Sequence, residues 1–307
     1  MRLVTIQAPA GQGERVVALA LEAGATQALA HQVQVHRPEQ PATIVDVVDV
    51  ETATPIAKRV VEAVMSAPFF EPGSFTIAIR HPRALVTRET PDDETRPVVV
   101  PSVDVYTELW QFSHVTLSLV GRVFLAALLV AYGMIELNLP VLIAGLLFLP
   151  YHHQMLAIGF GLWTREWRLL RQGGWALLVS TALIVAAGAC VALLTEPPLE
   201  FQEFGTLLTG FLIALVIGLA AGLASADDAG RRELIGLAAT AHITIIPAWF
   251  GISLVFGFPE MATVIKRLLA FGINIGTLTL AATGIYAVLR LRGEGLRRYA
   301  QRTAVKS

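Results

Sequence analysis

Cysteine and charge are both scarce in this chain. Its 307 residues include one cysteine, Cys190, so an intramolecular disulfide framework is excluded. Only 15% of the residues are charged and 54% are hydrophobic, whereas a typical soluble domain has about 25% charged residues. The mean hydropathy is +0.61. This composition excludes an ordinary soluble protein and predicts a large membrane-embedded part.

Several functional motifs are also missing from the sequence. It contains no phosphate-binding loop, nucleophile–base pair or metalloprotease motif, so we expect neither an enzyme nor a cofactor. The soluble part has no basic patch and the formal net charge is −1, which makes nucleic acid an unexpected partner. The first residues, MRLVTIQAPAGQGERV, lack the apolar core of a signal peptide, so the N-terminal part is expected in the cytoplasm.

The charged residues divide the chain into two regions. Residues 1–112 hold nine basic and fourteen acidic residues. The remaining 195 residues hold fourteen basic and ten acidic residues, mostly in short clusters between apolar runs. This pattern is typical of a soluble domain joined to a polytopic membrane domain.

Residues 1–87 predict a small α+β domain. RLVTIQAP and SFTIAIRH alternate as strands do, and GERVVALALEAGA and TPIAKRVVEAVMSA have helical spacing. With ALAHQVQVHRP and ATIVDVVDVE between them, the order is β-α-β-β-α-β, the ferredoxin-like layout. The helices would cover one face of an antiparallel sheet. The free face would serve self-association, ligand sensing or neither.

Residues 88–113 are interpreted as a linker followed by an interfacial helix. RETPDDETRPVVVP, at 88–101, is acidic and flanked by prolines, as linkers often are. The next stretch, SVDVYTELWQFSH, places Val105, Leu109 and Phe112 on one helical face. We expect a short amphipathic helix that lies in the membrane interface.

Residues 114–292 predict an all-α membrane domain of about six transmembrane helices. Apolar runs of roughly spanning length occur at 115–137, 139–163, 174–195, 206–225, 233–257 and 268–290. Arginines cluster after the second and fourth runs and in the basic tail at 293–307, whereas TEPPLEFQEFG on the other side is acidic. The positive-inside rule places both termini in the cytoplasm, with the domain in the inner membrane of the cell.

The second and fifth runs share an internal pattern. LIAGLLFLPYHHQMLAIGFG and LIGLAATAHITIIPAWFGIS both open with Leu-Ile, and both contain glycine, histidine and proline in similar places. The two runs are three helices apart and therefore cross the membrane in opposite directions. This predicts a 3+3 inverted repeat with two discontinuous helices, an arrangement that surrounds midplane sites in secondary transporters.

Two stretches carry a resemblance to a known family. AIGFGLWTREWRLLRQG and RRELIGLAA…IIPAWFGISLVFG resemble the membrane proteins grouped as domain of unknown function 389, also called the uncharacterised hydrophobic domain. The resemblance implies a small N-terminal α/β domain and a polytopic membrane domain with two helices rich in glycine and proline. Where similar members have small apolar residues around paired prolines, this chain has Tyr-His-His-Gln.

Polar residues and prolines inside the apolar runs are the predicted substrate-binding residues. They are Arg122, Pro150, Tyr151, His152, His153, Gln154, His242, Pro247 and Asn274. A helix resumed after proline exposes a positive N-terminal end that favours anions, and the histidines would bond the anion or carry a proton. Alternatively, His152, His153 and His242 bind a transition metal, or the histidines only join helices. Arg122 either reaches the cytoplasmic surface or faces the bundle.

The resulting prediction is a transporter or channel for a small solute, with an anion as one candidate. The cytoplasmic domain would regulate or oligomerise it. The expected partners are the lipid bilayer, the solute or ion, and further copies of the chain in a homo-oligomer. A membrane-anchored metabolite sensor or scaffold without transport is one alternative. A transition-metal transporter is the second.

Overall fold

The computed structural model describes residues 2–38, 40–80, 99–198, 206–227 and 232–291. They form two compact units. The first is built mainly from Met1–Val105, and the second from Tyr106–Ser225 and Gly230–Arg290. Most of the predicted linker and the basic tail at 293–307 lie outside the described residues.

The first unit contains the predicted antiparallel sheet. Its elements are β1 (Arg2–Pro9), α1 (Gly13–Glu22), β2 (Leu29–Arg37), β3 (Gln40–Thr52), α2 (Thr54–Ser66) and β4 (Thr76–Arg80). The strands lie in the order β2-β3-β1-β4, and all neighbours are antiparallel. Val4, Ile6 and Ala8 alternate along β1 and pack with residues of both helices in one core, as period-two patterning requires.

The Asp46 side chain on β3 holds the start of α1. Its Oδ2 accepts a hydrogen bond of 2.8 Å from the backbone N–H of Gly13. This bond lowers the pKa of Asp46 below its ordinary value, because it stabilises the ionised carboxylate. A Cβ at Gly13 would lie 3.0 Å from the Cβ of Asp46, a tight contact that glycine avoids.

The second unit is helical. Helix α3 (Ser102–Ser113) precedes α4 (Leu117–Ile135), α5 (Leu139–Phe148), α6 (Tyr151–Thr164), α7 (Trp167–Ala192), α8 (Leu207–Ala226), α9 (Arg232–Phe256) and α10 (Met261–Val288). The apolar helices α4, α7, α8, α9 and α10 are long enough to span a bilayer, and α5 with α6 makes a sixth span if the pair is counted as one. These helices indicate a multi-pass membrane protein. Helix α3 agrees with the predicted short helix, and its place at the membrane interface stays a prediction.

The second span is broken where the sequence predicts it. Helices α5 and α6 are bent by 41°. Leu149 between them is extended, with φ −85° and ψ 119°, because a residue before proline is pushed out of the helical region. Helix α5 has ten residues and is therefore about 15 Å long, half of a hydrocarbon core of about 30 Å. A break at this distance along a single span would fall inside the apolar layer.

The predicted break in the fifth span was wrong. Helix α9 runs from Arg232 to Phe256 with Pro247 inside it. Packing against α7 supports the helix through the proline, since a Cβ at Gly251 would lie 3.0 Å from the backbone N of Ala189. Helices in membranes tolerate an internal proline where neighbouring helices hold them. The inverted repeat itself stays a prediction.

Two glycines let α4 and α5 pack closely, and this contact determines which residues of α4 lie beside the break. A Cβ at Gly145 of α5 would come within 2.7 Å of the Ala126 carbonyl oxygen, and one at Gly133 of α4 within 2.6 Å of the Leu142 N. The backbones of α4 and α5 therefore touch, as small residues permit in membrane helices. This contact places Arg122, one turn before Ala126, beside the end of α5.

Candidate functional site

A cavity of about 400 Å³ borders the break between α5 and α6. Its polar lining consists of Glu108 from α3, Arg122 from α4, and His152 and His153 from α6. The rest of its lining is apolar side chains, Pro150 and Gly236. This volume lies in the lower part of the range of about 300–1,000 Å³ that is usual for small-molecule sites.

The start of α6 faces this cavity. Pro150 is the N-cap residue and provides no side-chain hydrogen bond to the first turn. The first backbone N–H groups of a helix lack acceptors in the α-helical ladder and carry partial positive charge. In α6 the N–H of His153 donates to the carbonyl oxygen of Pro150, at 3.2 Å. His152, in the same turn, is only 9% exposed, and its Nδ1 has no hydrogen-bond partner among the described residues. The first turn therefore offers an electropositive surface to a bound group.

The His152 imidazole packs directly on the backbone of α9. A Cβ added to Gly236 would overlap the ring, at 2.8 Å from Nδ1 and closer to two other ring atoms. Only glycine leaves room for the imidazole in this position. Helix α9 therefore forms one wall of the cavity through a residue without a side chain.

His153 joins α6 to α3. Its Nε2 lies 3.7 Å from Oε1 of Glu108, a contact that is ionic when the imidazole is protonated. Its ring stacks on Phe112, with centroids 4.2 Å apart and planes 18° apart. Since Glu108 and Phe112 are four residues apart, they lie on one face of α3. This face of α3 covers part of the cavity.

Tyr151 and Gln154 point away from the cavity and brace α6 against α7. The Tyr151 hydroxyl donates to Oγ1 of Thr181, and Nε2 of Gln154 donates to Oγ of Ser180 at 2.8 Å. Both side chains are completely buried. These bonds support a positioning role for both side chains, and their contact with a substrate stays a prediction.

His242 lies in a different cluster. Its Nε2 is 3.1 Å from the carbonyl oxygen of Gly210 on α8, and a Cβ at Gly210 would lie 3.2 Å from Oδ1 of Asn274 on α10. These contacts hold α8, α9 and α10 together. Neither His242, Asn274 nor Pro247 lines the cavity.

Helical geometry explains why His242 does not meet the other two histidines. It is six residues beyond Gly236, and six steps of about 100° turn its side chain away from the face that contacts His152. Among the described residues, no group of three His, Cys, Asp or Glu side chains is placed to hold a metal ion. The predicted three-histidine metal site is therefore not formed.

Seven residues of the cavity lining are not among the predicted site residues: Glu108, Phe112, Leu146, Leu147, Phe148, Leu149 and Gly236. The sequence predicts Phe112 on one face of an interfacial helix with Val105 and Leu109, and it predicts no site role for Glu108 or Gly236. The spacing of Glu108 and Phe112 on one helical face was the available signal. Nothing in the sequence indicated which segment this face would meet.

The fold and the site define a class of protein: a multi-pass membrane protein with a small antiparallel α+β unit and a cavity at a broken span. Residues 146–280 match the family model described as Domain of unknown function (DUF389), which confirms the predicted resemblance. The match begins just before the break and includes both cavity histidines. Comparisons with curated proteins and with solved structures found no match.

Proposed function

We propose that this protein is a transporter or channel that moves a small anionic solute through the cavity at the α5–α6 break. One observation carries the proposal: the buried Nδ1 of His152 has no partner in the described structure and stands beside an uncapped helix N-terminus. A buried polar atom left unpaired costs about 1–3 kcal/mol. A bound solute that hydrogen-bonds this turn would offset that cost.

The charge of the lining favours an anion over a cation. Arg122 and the first turn of α6 are electropositive, and the imidazoles of this lining are able to hydrogen-bond an anion. Helix N-termini generally bind anions through backbone N–H groups. Glu108 is the one acidic residue of this lining, and it is placed against His153.

We also propose an arrangement for the whole chain. The strand order β2-β3-β1-β4, with α1 connecting β1 to β2 and α2 connecting β3 to β4, supports a ferredoxin-like fold for the first unit. The arginine-rich loops support cytoplasmic termini in the inner membrane. In this arrangement the first unit regulates transport or assembles the chain into a homo-oligomer, with no enzymatic step and no cofactor.

Anion flux into proteoliposomes tests the proposal. The purified chain is reconstituted, and uptake of chloride, phosphate, lactate and benzoate is compared with protein-free liposomes, which report passive leakage. We expect protein-dependent flux of at least one anion, and we expect the double change His152→Ala and His153→Ala to abolish it. His242→Ala is the matched control, because this histidine lies outside the cavity, and it should retain flux.

The outcomes separate the alternatives. Thermal unfolding and gel filtration establish that each variant is folded before its flux is interpreted. Absence of flux for the whole panel contradicts transport and favours a membrane-anchored sensor or scaffold. Equal loss in the His242 control and in the double variant contradicts the assignment of the cavity.

A further inference from the structure

We infer that the Glu108 carboxylate occupies the position that the carboxylate of the solute takes when it binds. The transported anion is then a monocarboxylate with an apolar body, and Glu108 on α3 competes with it for the site. This inference rests on the proposed function. It goes further by naming the chemical class of the solute and the residue that competes with it.

The structure holds a carboxylate in the cavity already. Oε1 of Glu108 lies 3.7 Å from Nε2 of His153, and Phe112 stacks on the same imidazole from the next turn of α3. The Glu108 side chain is 31% exposed and that of His153 is 17% exposed. The pair is therefore partly open to the cavity, and an incoming anion can reach the imidazole.

Charge balance favours exchange of one carboxylate for another. Glu108 and Arg122 carry opposite formal charges in the same lining. A monocarboxylate that displaces Glu108 from His153 keeps the same number of negative charges at the imidazole. A dicarboxylate or a phosphate dianion brings a second negative charge. In the described lining, only Arg122, the two histidines and the N-terminus of α6 are available to balance it.

The apolar lining selects the rest of the solute. Leu146, Leu147, Phe148 and Phe112 border the same cavity, and none of them offers a hydrogen bond to hydroxyl groups. A polar body such as a sugar acid would lose its hydration there without replacement, which costs free energy. An aliphatic or aromatic body would instead be stabilised by burial.

Calorimetric binding of benzoate to the full-length protein in detergent tests the inference. Removing a partly exposed carboxylate–imidazole pair should free the site, so Glu108→Gln is expected to bind benzoate about twofold to fivefold more tightly than the unchanged protein. Glu136→Gln is the matched control, because Glu136 is an exposed carboxylate outside the cavity lining, and its affinity should not change. Inorganic phosphate should bind more weakly than benzoate to every variant.

A double change identifies the imidazole for which the two carboxylates compete. In a His153→Ala background, Glu108→Gln should no longer affect benzoate affinity, because the shared partner is gone. Persistence of the full effect in that background overturns the inference. So does unchanged or weaker binding in Glu108→Gln, tighter binding of phosphate than of benzoate, or no benzoate binding to any variant.

These outcomes are distinct from those of the transport assay. Binding with the expected pattern and no flux contradicts transport, while the assignment of the carboxylate site stands. Flux together with benzoate binding that Glu108→Gln leaves unchanged contradicts the competitor and leaves transport standing.

Discussion

Replacing Gly236 with alanine should displace the His152 imidazole from its position at the cavity. The new Cβ would lie 2.8 Å from Nδ1, well inside the 3.4 Å at which ordinary contacts begin. The ring must therefore move. Because hydrogen bonds from Tyr151 and Gln154 hold α6 against α7, the ring can move only by rotating into the cavity or by pushing α9 away. Either movement changes the site.

The magnitude follows from two opposing terms. Alanine in place of glycine stabilises a helix by about 1 kcal/mol, and overpacking of a tight contact costs about 1–3 kcal/mol. Gly284→Ala is the matched control, because a Cβ at this glycine of α10 meets no heavy atom within 4 Å. The difference in free energy of unfolding between the two variants should therefore be about 1–3 kcal/mol.

Thermal unfolding in detergent and anion flux in liposomes measure the two consequences. Gly236→Ala is expected to unfold at lower temperature than Gly284→Ala and to lose most of its flux, whereas Gly284→Ala should transport normally. Equal unfolding temperatures together with normal flux in both variants would refute the packing of His152 on α9. Such a result would also mean that α9 does not form this wall of the cavity.

Three further changes have defined outcomes. Tyr151→Phe removes the buried bond to Thr181 and should lower the free energy of unfolding by about 1 kcal/mol, measured by thermal unfolding; no change contradicts the bracing role. Arg122→Gln should reduce anion flux about twofold to fivefold while Arg122→Lys retains it, and equal flux in both argues against an electrostatic role. Asp46→Ala should lower hydrogen-exchange protection of α1 by about 0.5–2 kcal/mol at neutral pH, because the Gly13 N–H loses its acceptor. Since the pKa of Asp46 is lowered, this stabilisation is present above the ordinary value of 3.8 and is lost as the pH falls through the folded-state pKa. Equal protection of α1 in Asp46→Ala and in the unchanged protein at neutral pH contradicts this role of Asp46.

Local patterns in the sequence predict the elements and the break well. Period-two alternation in RLVTIQAP places Val4 and Ile6 in a core, because successive strand residues face opposite sides of a sheet. The break at Leu149 follows from the restricted conformation of a residue before proline. Both features depend on neighbours in the chain, which the sequence displays directly.

Contacts between distant segments were not predictable in the same way. Glu108 and His153 are 45 residues apart in the chain, and no local pattern brings them together. His242 was aligned with the other histidines by counting residues, but side-chain direction in a helix turns by about 100° at each residue. Pro247 was expected to break its helix, yet packing against α7 overrides that local preference.

Aqueous access to the break is the most direct test of the central claim, that a solute site lies inside the second span. His153→Cys is made in a Cys190→Ser background and treated in proteoliposomes with a charged, membrane-impermeant thiol reagent. Leu280→Cys serves as the apolar control, because Leu280 is 66% exposed on the outside of α10. We expect rapid labelling at position 153, because the cavity admits water and solute, and little labelling at position 280. Equally slow labelling at both positions would contradict the central claim.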